Sequence, residues 1–208
     1  MNQDWFEQVC QSALGHRTSQ EQTYDLARNV LARGIPGDFV ECGVFAGASC
    51  AIMARALMDH CAETEDPPFI GKITRRVHLF DSFDGIPAPG PHDDPSQVRA
   101  GEARCSLPNV KNNMRKWGIP DELLVYHQGD FRETVPLEDG RGDGTIGQIA
   151  LLRLDGDLYE STKVCMEHLY PLVAKGGYII CDDYDLAGCR YALHQTVMPA
   201  PIAWRKWT

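Results

Sequence analysis

Two pairs of aspartates sit where apolar runs end. The run "LLRLDGDLYEST" closes on Asp155 and Asp157, and "GGYIICDDYD" closes on Asp182 and Asp183. For any one of them the economical reading is a helix cap or a solvated side chain. Four at two neighbouring strand ends call for more. Carboxylates brought together repel one another, so the group persists only where protons or a cation neutralise it. Oxygen-only ligands, with no nearby His or Cys, favour magnesium, manganese or calcium over zinc, with magnesium the first choice. A carboxylate left outside a cation's shell can take a proton from an alcohol that a metal has acidified.

Such side chains need a scaffold that brings separate runs together. At 208 residues the chain is long enough for one well-buried α/β domain and short for two. Trp5, Phe6, Val9, Cys10, Ala13 and Leu14 line one face of a predicted helix over residues 4–14. A second helix, capped by Thr18 or Ser19 with Glu21 or Gln22 in the capping-box position, is expected to run to about Arg33, where "GIPGD" breaks it. From there "DFVECGV", "RRVHLFDSF", "LLVYHQGDF", "IGQIALLRLD" and "GGYIICDD" read as strands, alternating with helices such as "ASCAIMARALMDH" and "STKVCMEHLYPLVA". That alternation predicts a mainly parallel sheet with helices on both faces. Residues 84–108, polar and proline-rich, are too long for an ordinary connection and read as a lid.

In an open parallel sheet the ligand edge lies beyond the carboxyl ends of the strands. Those ends carry Glu41 to Ser49, then Asp81 and Ser82, then Gly129, Asp130 and Phe131, and finally the four aspartates. An edge this acidic argues against a phosphate cofactor. Gly43 and Gly47, with Phe45 between them, do not make the G-x-G-x-x-G turn of a dinucleotide site, and no Walker lysine is present. A cationic cofactor with a ribose and no phosphate suits a loose glycine turn followed by Asp81, and S-adenosylmethionine has that chemistry; a merely structural turn with a solvated Asp81 is the alternative. The formal charge of −9, with Lys and Arg scattered, gives nucleic acid or an anionic membrane little to bind. A small-molecule acceptor is the expected partner, and a homo-oligomer is compatible with the sequence. The eight cysteines form no CxxC pair and read as reduced thiols. With no leader and no spanning stretch read from the sequence, the expected location is cytoplasmic.

The blocks "GDFVECGVFAGAS", "HLFDSFDGIPAP", "GDFRETVP", "IALLRLDGDLYEST" and "GGYIICDDYDLAGCRYAL" resemble the macrocin O-methyltransferase family, over about residues 17–193 and in the same order. The resemblance implies a Rossmann-like class I methyltransferase fold, S-adenosylmethionine as methyl donor and a glycosylated natural product as acceptor. It further implies a divalent metal at Asp155, Asp182 and Asp183, with Asp157 as general base. Glu41, Gly43, Gly47, Ser49, Asp81, Ser82, Asp130 and Phe131 then fall on the cofactor side. Two features depart from the family. After "CRYAL" only "HQTVMPAPIAWRKWT" follows, so a shortened C-terminal hairpin is expected, and Ser19 in "HRTSQ" stands where the family usually has Met. His127 reads as structural and Glu160 as an acceptor contact, while Trp204 and Trp207 receive no role. A catechol-type methyltransferase and a non-catalytic S-adenosylmethionine-binding scaffold are the competing readings.

Overall fold

The computed structural model describes residues 2–64, 75–138 and 144–197. Its sheet is parallel, with β1 at Asp38–Cys42, β2 at Val77–Asp81, β3 at Leu124–Gln128, β4 at Ile149–Leu154 and β5 at Val173–Cys181, in the order β3-β2-β1-β4-β5. The central strands β1 and β4 are buried almost throughout, which is why each reads as an unbroken apolar run. The order reverses between β1 and β4, and the crevice for a ligand opens at that switch point.

Helices cover both faces. On one side α1 (Gln3–Cys10), α2 (Arg17–Ala32), α3 (Ala48–Thr64) and α4 (Leu107–Lys116) pack around Phe39, Leu79 and Leu151. On the other side α5 (Phe131–Thr134), α6 (Tyr159–Leu169) and α7 (Ala187–Val197) pack around Val40, Phe80, Leu152 and Leu154. Successive strand residues alternate between these cores, so Glu41 of β1 and Arg153 of β4, which are register partners, both face the α2 and α3 side.

The amino-terminal helices differ from the sequence reading. The first ends at Cys10, and Leu14 is 69% exposed instead of lying on a packed helix face. The second begins two or three residues earlier than expected, with His16 at the N-cap position and no side-chain cap. Neither Thr18 nor Ser19 caps it, because Ser19 already lies inside the first turn and its hydroxyl turns to Asp182. Glu21 makes no capping box either; it pairs with Arg17 one turn earlier, at 2.8 Å.

Of the expected lid, residues 84–108, the last two already belong to α4; residues 84–105 contain no helix or strand, yet they are tied down. Ile86 N donates to Glu102 O at 2.9 Å, Gly101 N donates to Ile86 O at 2.8 Å, and Val98 is buried. The expected shortened hairpin, with Trp204 and Trp207, lies outside the described residues. None of the eight cysteines, all of them among the described residues, is in a disulfide. Among the described residues no helix is long and apolar enough to cross a membrane.

Candidate active site

A cavity of about 670 Å³ opens at the carboxyl ends of the strands. Gly43, Asp81, Ser82, Asp130 and Phe131 line one part of it, and Asp155, Asp157, Asp182 and Asp183 line another. Gly85 to Ala88, Gly90 and Asp93 form a further part of its wall, and the α1–α2 loop, Ser12 to Gly15, bounds it beside Gln20. Distant stretches of sequence therefore meet in one place, as the strand-end argument requires.

At the β1 end, the chain turns at Gly43 with φ +97°, and a Cβ there would lie 1.7 Å from the Asp155 carbonyl oxygen. Only glycine lets the two strand ends approach so closely. Asp81 then secures the turn: its carboxylate accepts Val44 N at 2.7 Å, Phe45 N at 3.1 Å and Phe83 N at 2.7 Å. It thus does structural work in addition to facing the cavity, where its remaining acceptor capacity can meet a ribose hydroxyl. Asp130 caps α5 by accepting Arg132 N at 2.8 Å, and the Arg132 side chain holds its carboxyl below the usual range. Ser82 Oγ donates to Gly85 O at 3.1 Å and so fixes the start of the lid.

Three residues expected on the cofactor side sit elsewhere or point away. Glu41 is completely buried and does not line the cavity; it receives Arg153 Nε at 2.9 Å and the Ser49 hydroxyl. Burial pushes its carboxyl up to about 7, against the pull of Arg153. Ser49 reaches the wall, but its hydroxyl is committed to Glu41. Gly47 is absent from the wall because it packs under α4, where a Cβ would meet Met114 Cε at 2.6 Å. Their place is behind the site.

Arg153 is the residue that sequence reasoning missed. Its side chain is 1% exposed, and it holds three carboxylates at once: Glu41 through Nε, Asp155 through Nη2 at 2.8 Å, and Asp182 through Nη2 at 3.0 Å. Burial opposes its charge, yet Asp155, Glu41 and Asp182 together raise its pKa above the usual arginine value. The only signal in the sequence was a lone cation inside the apolar run "IALLRLD", since a buried arginine must be paired.

One guanidinium does not neutralise five carboxyls. Burial and mutual repulsion push Asp155 up to about 6 despite Arg153, and push Asp157 up to about 7. The same causes raise Asp183 well above the carboxylate range. Asp157 adopts φ +60°, an uncommon conformation for a residue with a side chain, and its N–H donates to Asp183 Oδ2 at 2.9 Å.

The donor chemistry fits a hard divalent cation: oxygen atoms only, with an excess of negative charge. As the side chains stand, no three His, Cys, Asp or Glu among the described residues converge as a metal-binding set. Asp155 and Asp182 each turn one oxygen to Arg153, and Asp183 turns one to Asp157 N. These bonds leave Asp155 Oδ1, Asp182 Oδ2 and Asp183 Oδ1 for a cation.

Glu160 lines the cavity. His127 does not; it lies 2.9 Å from His78 and 3.6 Å from Glu138, and it stacks on Phe80.

A five-stranded parallel sheet carrying this edge is the fold of a class I methyltransferase. The chain belongs to the macrocin O-methyltransferase family: the model for Macrocin-O-methyltransferase (TylF) matches residues 1–201. It is 34% identical over 200 residues to the 8-demethyl-8-(2,3-dimethoxy-alpha-L-rhamnosyl)-tetracenomycin-C 4'-O-methyltransferase of Streptomyces olivaceus, covering 93% of this chain and 70% of that protein. It is also 34% identical over 175 residues to the demethyldecarbamoylnovobiocin O-methyltransferase of Streptomyces niveus, covering 79% of this chain and 59% of the relative. The solved structure of the O-methyltransferase NovP superposes with a TM-score of 0.73 at 32% identity, over 86% of this chain and 71% of that one.

Proposed function

We propose that the chain transfers a methyl group from S-adenosylmethionine to a hydroxyl of a sugar carried by a natural product, with a hard divalent cation, magnesium by preference. The observation that carries this reading is the single cavity that runs from Asp81 and Asp130 to Asp155, Asp157, Asp182 and Asp183. A nucleoside and a hydroxyl acceptor can meet there. The rhamnosyl-bearing substrate in the name of the Streptomyces olivaceus relative supports a sugar as acceptor. Eight cysteines in no disulfide support a reducing, cytoplasmic setting.

In this reaction the acceptor oxygen attacks the methyl carbon in line with its bond to sulfur. The carbon–oxygen bond forms as the carbon–sulfur bond breaks, the electron pair returns to sulfur, and S-adenosylhomocysteine leaves. Asp157, at the cavity wall, takes the hydroxyl proton. Asp155, Asp182 and Asp183 would hold the cation, which when bound makes a hydroxyl it touches more acidic. Arg153 keeps two of those carboxylates in place from behind. Residues 84–105 exclude water from the displacement.

The test is turnover of labelled S-adenosylmethionine with a panel of desmethyl glycosides and catechols, with and without a chelator. A methyl ether on a sugar, lost on chelation, is the expected result. Turnover of catechols alone would reassign the acceptor, and binding of S-adenosylhomocysteine without turnover on any acceptor would leave a scaffold.

A further inference from the structure

Ser19 is the third residue of α2's helical turn, where a serine does nothing for the helix unless it caps, and the cap position is His16. Its hydroxyl instead reaches 2.6 Å to Asp182 Oδ1, across 163 residues of chain. The polarity of that bond is settled by the neighbour on its other side. Arg153 Nη1 lies 3.4 Å from Ser19 Oγ and can only donate, so the hydroxyl accepts from Arg153 and gives its own proton to Asp182. The serine backbone is fixed as well: its N–H bonds His16 O at 3.0 Å, and its carbonyl accepts Thr23 Oγ1 at 2.9 Å. Ser19 is outside the cavity wall, while its neighbours Gln20 and Gly15 are in it.

We infer that Ser19 is a positioning residue for Asp182: together with Arg153 it occupies Oδ1, orients the carboxylate and leaves Oδ2 directed for a divalent cation. This inference rests on the metal-dependent reading above. Groups that hold a ligand from behind typically change metal affinity by roughly 10- to 100-fold when removed. A single neutral hydroxyl, with Arg153 still present, belongs at the low end of that range.

Calorimetric titration of the full chain with Mg²⁺ tests it, using Ser19→Ala, Ser19→Thr and Ser19→Met, each also titrated with S-adenosylhomocysteine. Ser19→Ala and Ser19→Met are expected to weaken Mg²⁺ binding about 10-fold. Ser19→Thr, which keeps the hydroxyl, should restore it, and S-adenosylhomocysteine affinity should be unchanged in all three. Magnesium affinity in Ser19→Ala equal to wild type overturns the inference while leaving the metal site standing. A parallel loss of S-adenosylhomocysteine binding also overturns it, because the serine would then support the fold at large. Wild-type protein that binds no Mg²⁺ removes the metal reading itself, and this inference with it.

Discussion

Asp157 N donates to Asp183 Oδ2 at 2.9 Å, so the residue proposed as base is anchored through its backbone to a proposed metal ligand, and its own carboxyl remains at the cavity wall. The φ of +60° at Asp157 is what turns the chain to make that bond. Asn tolerates this conformation as well as Asp does. Asp157→Asn should therefore keep its melting temperature and its affinity for S-adenosylhomocysteine, while turnover falls by roughly 10²- to 10⁴-fold, the usual worth of a general base. Normal turnover in this variant would move the base to another residue.

The carboxylate cluster sets a pH dependence of its own. Burial and repulsion raise Asp155 to about 6 and Asp157 to about 7, so between these values and the ordinary carboxylate range the folded chain binds more protons than the unfolded one. Stability from this source is present at acid pH and lost as pH rises through about 6 to 7. The divalent cation proposed above would replace the missing protons. Mg²⁺ should therefore raise the melting temperature more at pH ~8 than at pH ~5.5, by mass action on the folded state. Asp182→Ala should shrink that rise. The same shift at both pH values would contradict the account.

His127 works in the opposite sense. Burial first, then His78, lower its pKa to about 4, with Glu138 opposing. A histidine kept neutral in the fold costs stability once the unfolded chain can take the proton, so its contribution is complete above about 6.5 and is lost as pH falls toward about 4. Because the carboxylates titrate nearby, the effect is read as a difference: His127→Gln should flatten the acid limb of the stability curve relative to wild type, by at most about 3 kcal/mol. Parallel curves for the two proteins would show that His127 does not titrate on unfolding.

The lid is latched to the helix it covers. Asp93 Oδ1 accepts Tyr159 N at 2.7 Å, capping α6, whose own N-cap residue Leu158 offers no side-chain acceptor, and Asp93 Oδ2 accepts Gly90 N at 2.8 Å. Asp93→Ala should cost about 1 kcal/mol, the usual worth of a cap, and should speed amide exchange in residues 84–105 and at Tyr159. Cofactor and acceptor together should slow that exchange in the wild-type chain. Unchanged exchange in the variant would mean that the latch does not hold the segment.

The alternation of apolar runs with helices was enough to place β1 to β5 and to put Gly43, Asp81, Asp130, Asp155, Asp157, Asp182 and Asp183 along one edge, because strand ends in a parallel sheet share a side whatever the loops do. The glycine turn was legible for the same local reason, as φ +97° at Gly43 is a demand made within a few residues. The direction of each side chain at that edge was settled only by tertiary structure. Glu41, expected on the cofactor side, is buried behind the site, since its register pairing with Arg153 turns it to the α2 and α3 face. Arg153 became the centre of the cluster, and Ser19 its partner, through contacts that join β1, β4, the end of β5 and α2. Such contacts follow from strand order and register, and no spacing along the chain encodes them. Residue types and periodicity set which groups could do chemistry here; which of them face the cavity and which stand behind it was decided by the packing of helices on the sheet.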